Sequence, residues 1–211
     1  FHSRCVAHII NLAVQDGIKV IEPQKEAFKK MLRHIYCHTK RHQRYIKMCK
    51  EAGRLYLGPN WDVQHRWNST CTMFEKAILQ KESLIEFHNL LSSRGKVSAY
   101  HPSSWNVIET VAQLLQVFKT STKALSGVYY PTSSLVLHNL FKMCRKLNEL
   151  SGRGRPYCDM VAKMKEKLRK YFKELSAVFT CAAAVNHCFN VFGTGSLIFK
   201  ITNELNLNTE E

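Results

Sequence analysis

Apolar residues recur in this chain every three or four positions, in one segment after another, and hardly anywhere at every second position. The first period lays a single apolar stripe along a helix, whereas a half-buried strand alternates. Val107, Ile108, Val111, Leu114, Leu115, Phe118, Thr122 and Leu125 form the cleanest stripe. Ala27, Phe28, Met31, Leu32, Ile35 and Tyr36 form a second. Val6, Ile9, Ile10, Ala13 and Val14 mark a helix near the start, and Leu137, Leu140, Phe141, Cys144 and Leu147 another. Val161, Met164, Leu168, Tyr171, Phe172 and Leu175 mark one more. The fold class that follows is mostly α.

Glycine and proline supply the punctuation. Asp16-Gly17 is expected to bend or end the first helix, and Pro23 marks the next boundary. A further helical piece carries Tyr45, Ile46 and Cys49, ahead of Gly53 and a Gly58-Pro59-Asn60 turn. One long helix is expected from Thr70 to Leu91, then a loop from Ser92 to Ser104. Gly127 stops the next helix, and Tyr129-Tyr130-Pro131-Thr132 connects to its successor, since Pro131 disfavours helix at Tyr130. Ser151-Gly152-Arg153-Gly154-Arg155-Pro156 is the strongest break. Gly193 and Gly195 interrupt the apolar tail that begins at Phe179, and Phe1 to Arg4 read as the tail of a strand.

Charge narrows the function. Among 211 residues, Lys and Arg number 31 against 16 Asp and Glu, a formal net charge of +15. Such an excess favours polyanions, because each neutralised phosphate releases condensed counterions. Hydrophobic residues at 45% and charged residues at 22% are an ordinary globular balance, which excludes a disordered chain. No apolar run approaches the ~20 residues that span a bilayer, so no membrane partner is expected. The opening residues carry no leader pattern, and Phe1 stands where a complete chain would have Met, so a fragment is expected. Eight scattered cysteines without a disulfide-like framework read as reduced thiols.

Lys25 to Lys50 hold nine Lys or Arg and one acid, Glu26, with His34, His38 and His42 four residues apart on what would be one helical face. Lys29, Lys30, Arg41 and Arg44 are the candidates there for tracking phosphates; the competing reading is a solvated basic face. Zinc is not expected at these histidines, because Cys37 points off their face and no second ligand pair follows. A second basic run spans Lys163 to Lys173. Cys5 and His8, three residues apart, share a helix face as half a zinc site or as two packed residues, and packing is the expectation. Arg66-Trp67 admits two readings of equal weight. A cation beside an aromatic plate suits phosphate contact with base stacking, while a buried Trp suits the anchor of a helix start capped by Asn68 or Ser69.

Two of these motifs gain meaning together. Arg4-Cys5-Val6-Ala7-His8-Ile9-Ile10-Asn11-Leu12, followed by Val14 and Asp16-Gly17, resembles the RCxxHxxNLxVxDG block of plant hAT-superfamily transposases that carry BED zinc fingers. Arg66-Trp67-Asn68-Ser69-Thr70 with Met73-Phe74-Glu75 resembles their TRWNSTxxML block. Trp105, Leu114 to Phe118, Thr120, Lys123-Ala124-Leu125-Ser126, Tyr130-Pro131-Thr132 and Met164-Lys165-Lys167-Tyr171 follow in the family's order. His65 replaces the family's Thr, and Asn186-His187-Cys188-Phe189 stand where a DPRYK-like stretch is usual, so a degenerate C-terminus is expected.

The resemblance implies the helical insertion domain of an RNase H-like transposase, with at most a remnant of the core sheet. It divides the chain into an end of the RNase H-like core at 1–22 with the CxxH unit, a helical region at 23–150 with the basic face and RW motif, and an RNase H-fold segment at 151–211. It implies that Trp67 stacks on a flipped base at a cut end and that Arg66 holds the distorted DNA, while Arg4, Cys5, His8 and Asn11 belong to the family block. The catalytic acids of the family match no position here, so no catalytic residue is assigned and this chain alone is not expected to cut DNA. No cofactor is expected for it; magnesium or manganese would serve only a full-length enzyme. DNA is the expected partner, the nucleus the expected location, and any homo-oligomer is expected to form through regions outside this chain. The rival function is a helical protein-interaction scaffold that has lost DNA contact.

Overall fold

A computed structural model of the chain describes residues 6–63, 66–93, 102–127, 133–185, 190–205 and 207. Among the described residues there are nine α-helices: α1 (Val6–Val20), α2 (Glu22–Tyr36), α3 (Thr39–Glu51), α4 (Trp67–Leu79), α5 (Lys81–Ser92), α6 (Pro102–Leu125), α7 (Val136–Ser151), α8 (Tyr157–Ala184) and α9 (Asn190–Glu204). A 3-10 turn, Ser133–Leu135, leads into α7. Among the described residues there is no strand, only an isolated bridge between Val63 and Arg66, so the mostly helical expectation holds. No described helix is long and apolar enough to cross a membrane. The expected strand tail at Phe1 to Arg4, the connector at 129–132 and the stretch at 186–189 lie outside the described residues.

The helices form two compact units, Ile21–Gln113 and the combination of Phe1–Val20 with Leu114–Glu211. In the first, Phe28 sits at the centre with edge-on contacts to Phe74 (5.7 Å) and Trp105 (5.3 Å). All three rings are buried, and such pairs add to the area they remove from water. Tyr45 continues the core, packed on Tyr36 at 5.7 Å and on Phe87 at 5.3 Å.

Among the helix boundaries that differ from the expectation, three have a tertiary reason. The stretch expected as one helix over Thr70–Leu91 breaks at Gln80, between α4 and α5. Neither Gly nor Pro is there; the buried Gln80 amide accepts from Tyr45 Oη (3.0 Å) and Leu57 N (3.3 Å) and donates to the Leu57 carbonyl (3.1 Å). A break between α2 and α3 at Cys37-His38 splits the histidine row, leaving His34 on α2 and His42 on α3. At 100° per residue, a continuous helix would set Tyr45 and Cys49 about a quarter-turn off the Phe28–Tyr36 stripe; the break brings Tyr45 back onto Tyr36.

Gly17 accounts for the third difference, in the other unit, where α1 packs on α8 and α7 and α9 pack around them. Helix α1 runs through Gly17 to Val20 instead of ending there. A Cβ at Gly17 would stand 2.5 Å from Met164 Cγ and 2.6 Å from its Sδ, so the glycine serves close helix approach. Gly193 and Gly195 likewise lie inside α9. The break at 152–156 is as expected, with Gly154 in the left-handed region at φ 77°.

Candidate nucleic-acid interface

The basic segment folds as the α2–α3 pair because its apolar positions face inward and most of its cations outward. Met31, Leu32, Ile35, Tyr36, Tyr45 and Cys49 are buried, while Lys30, Lys40, Arg44 and Lys50 are exposed. None of those four is ion-paired with a described residue, and Lys47 reaches only Glu51 at 3.6 Å. The residues singled out from sequence divide here. Lys30 and Arg44 stand free on the surface. The Arg41 guanidinium lies against the His34 ring, with Nη1 2.8 Å from Nδ1.

Lys29 is committed elsewhere. Its ammonium donates to Glu26 at 2.6 Å and lies 3.0 Å from the Asp62 carboxylate, with its side chain 13% exposed. Burial by itself pushes the Lys29 amine down, but Glu26 and Asp62 more than offset this and hold it above the ordinary lysine value. The Lys29 hydrogen bond holds the Glu26 carboxyl below its usual range.

Arg66 and Trp67 sit at the start of α4. Arg66 is the N-cap residue without a side-chain cap bond, and it is exposed; Trp67 opens the helix and is 5% exposed. Neither Asn68 nor Ser69 is the cap. Ser69 instead closes the preceding turn: its hydroxyl accepts from the Val63 N–H (2.6 Å) and donates to the Arg66 carbonyl (2.6 Å). In the free chain Trp67 is therefore buried at a helix start while its neighbour Arg66 is exposed. His65 lies outside the described residues.

Of the family-block residues, Arg4 and Cys5 lie outside the described residues, His8 is exposed on α1, and Asn11 accepts from Gln15 at 3.2 Å. Among the described residues no group of three His, Cys, Asp or Glu is placed to hold a metal ion. The acids are spread over separate ion pairs instead, such as Asp16 with Lys19 and Lys167, Glu86 with Arg54, and Glu109 with Lys81. The sequence alone gives no local signal for the contact of Asp62 with Lys25 and Lys29, because these partners lie more than thirty residues apart.

Three imidazoles titrate low. Burial, then the Arg41 charge and neighbouring histidines, pulls His34 below the ordinary value; burial alone does so for His88, and burial with Lys142 for His138. A histidine held neutral in the fold takes up its proton more readily when unfolded, so its contribution is present above the ordinary pKa of ~6.5 and is lost as pH falls through and below it. The melting temperature is therefore expected to fall between pH 7 and pH 5. His88→Gln should flatten that fall, and an unchanged slope in this variant would show that His88 is not the source.

Comparison with known proteins places the chain. Residues 3–114 match the family model described as the ZBED1 RNase-like helical domain. The chain is 27% identical over 175 residues to an AC transposase of Zea mays, an alignment covering 82% of this chain and 22% of that protein. It is 25% identical over 198 residues to the zinc finger BED domain-containing protein RICESLEEPER 2 of Oryza sativa, covering 90% of this chain and 26% of the relative. Human zinc finger BED domain-containing protein 4 is 21% identical over 168 residues, covering 78% and 14%. The chain spans about a quarter of the length of the plant relatives it matches. No solved structure matches it.

Proposed function

Since the chain belongs to the family of the ZBED1 RNase-like helical domain, we propose that it is the DNA-contacting helical part of a transposase-derived nuclear protein. The observation that carries this reading is the α2–α3 surface, where Lys30, Lys40, Arg44 and Lys50 are exposed and free of carboxylates. Arg66, exposed at the start of α4 within the same unit, adds a planar cation suited to phosphate. Arg41 stands beside this set, its guanidinium held on His34. Binding of this kind tracks the backbone and reads little sequence. The chain by itself does not cut or join DNA in this reading, because that chemistry needs carboxylates clustered around divalent ions and its acids are dispersed among lysines and arginines. Any dimerisation belongs to regions outside this chain.

The test is duplex affinity as a function of salt. Each neutralised phosphate contributes about 0.9 to the slope of log affinity against log salt. Replacing Lys30, Lys40, Arg44 and Lys50 by Gln should therefore flatten the slope by roughly 3 to 4 and weaken low-salt binding about a hundred-fold or more. The protein-interaction scaffold is favoured instead if the parent ignores duplex at low salt, or if the four-fold variant binds as the parent does.

A further inference from the structure

Among its described residues the segment between α3 and α4 has no helix or strand of its own, yet these residues are tied down at successive points. Tyr56 Oη lies 2.7 Å from His42 Nε2. The backbone of Leu57 exchanges hydrogen bonds with Gln80, and its carbonyl also accepts from Tyr36 Oη at 3.4 Å. Trp61 packs edge-on against Tyr36, with centroids 6.4 Å apart. Asp62 then places one carboxylate between two ammonium groups of α2, 3.0 Å from Lys29 Nζ and 3.7 Å from Lys25 Nζ. The three side chains are 9%, 13% and 11% exposed, so this triad is largely shielded from water and salt. Immediately beyond it, Ser69 holds Val63 and the Arg66 carbonyl, and the Arg66 N–H returns to the Val63 carbonyl at 3.0 Å.

We propose that Asp62, gripped by Lys25 and Lys29, is a positioning residue that locks the approach to α4 and presents Arg66 to phosphate in a preset place. The inference rests on the DNA-binding reading for its ligand and on the ion triad for its mechanism. It gives Lys25 and Lys29 a role inside the fold, in place of direct contact with phosphate. Preorganisation of this kind improves binding by removing the ordering that would otherwise accompany contact. The triad is also a device that opposes simple electrostatics: it keeps an acid close to a surface that attracts polyanions.

That opposition supplies the experiment. Asp62→Asn adds one unit of positive charge, and charge alone would leave DNA affinity equal or higher. The lock predicts that affinity for duplex at low salt falls roughly five-fold, the part-loss of one charge-assisted contact. It also predicts, in the absence of DNA, faster tryptic cleavage after Arg66 relative to cleavage after the exposed Arg153. Ser69→Ala, which removes one hydroxyl at the other end of the lock, should act in the same direction on both readouts, and it serves in place of Asp62→Asn should that variant fail to melt cooperatively. Equal or tighter DNA binding with unchanged cleavage after Arg66 overturns the lock while leaving the DNA-binding reading intact. A parent that binds no DNA overturns the DNA-binding reading, and the cleavage rates then decide the lock alone.

Discussion

Trp67→Ala is expected to destabilise the Ile21–Gln113 unit by ~3–5 kcal/mol, the usual range for truncating a large buried aromatic. The indole opens α4 and is 5% exposed in the free chain, so truncation removes apolar contacts and leaves a cavity behind. The transposase resemblance assigns the same ring to a flipped base, and that role requires it to leave the core when DNA arrives. Chemical or thermal unfolding of the variant beside the parent measures the first effect directly. Trp67→Leu separates the two roles, because it keeps much of the apolar volume and loses the flat π-face used for stacking. Should Trp67→Leu melt near the parent yet lose affinity for hairpin ends over plain duplex, the ring leaves the core to meet DNA. Equal affinity for both ends would make Trp67 a core residue only.

In the other unit, Asn148→Leu is expected to remove about 2–3 kcal/mol, the range for hydrogen bonds made to charged groups. Asn148 is the hub between three helices: its carbonyl oxygen accepts from the Lys165 ammonium of α8, and its amide donates to the Glu204 carboxylate and to the Glu204 carbonyl (3.2 Å) of α9. Lys165 is buried, and burial holds its amine below the ordinary lysine range. Beside it, burial pushes the Cys144 thiol up to about 12, so the thiol stays protonated and inert. Leucine keeps the branched outline of Asn148, with somewhat more bulk, but strands the ammonium without its acceptor. Pairing the change with Lys165→Met removes both polar partners at once and should recover much of the loss. Strictly additive losses in that double variant would show that the two side chains are not coupled. The depressed Lys165 value also carries a sign: the unfolded chain holds that proton more tightly, so stability rises with pH between the folded value and the ordinary value of ~10.4. Asn148→Leu should steepen this rise.

The helices themselves were legible because an apolar period is a local property. The stripe at Val107–Leu125 became α6, Ala27–Tyr36 became α2, and the 152–156 break separated α7 from α8. The basic character of Lys25 to Lys50 was equally legible, since charges that are not buried can be counted. Which of those charges stay free was not. Lys29 and Lys30 are neighbours of identical chemistry, yet Lys29 is turned toward Asp62 and Lys30 faces solvent. A helix sends successive residues about 100° apart, so the two lysines face different ways, and Lys29 is the one that meets both the nearby Glu26 and the distant Asp62.

By itself, then, the sequence determined a mostly helical chain of high positive charge and the family blocks around His8, Arg66 and Met164. The tertiary structure decided where helices break without Gly or Pro: at Cys37-His38, where Tyr45 returns onto Tyr36, and at Gln80, whose buried amide binds Tyr45 and Leu57 more than twenty residues away. It also decided that α1 packs on α8, through the space left by Gly17 over Met164, and that Trp67 is inside while Arg66 is outside. Each of these depends on what approaches from elsewhere in the chain, and a local period of three to four residues carries no record of that approach.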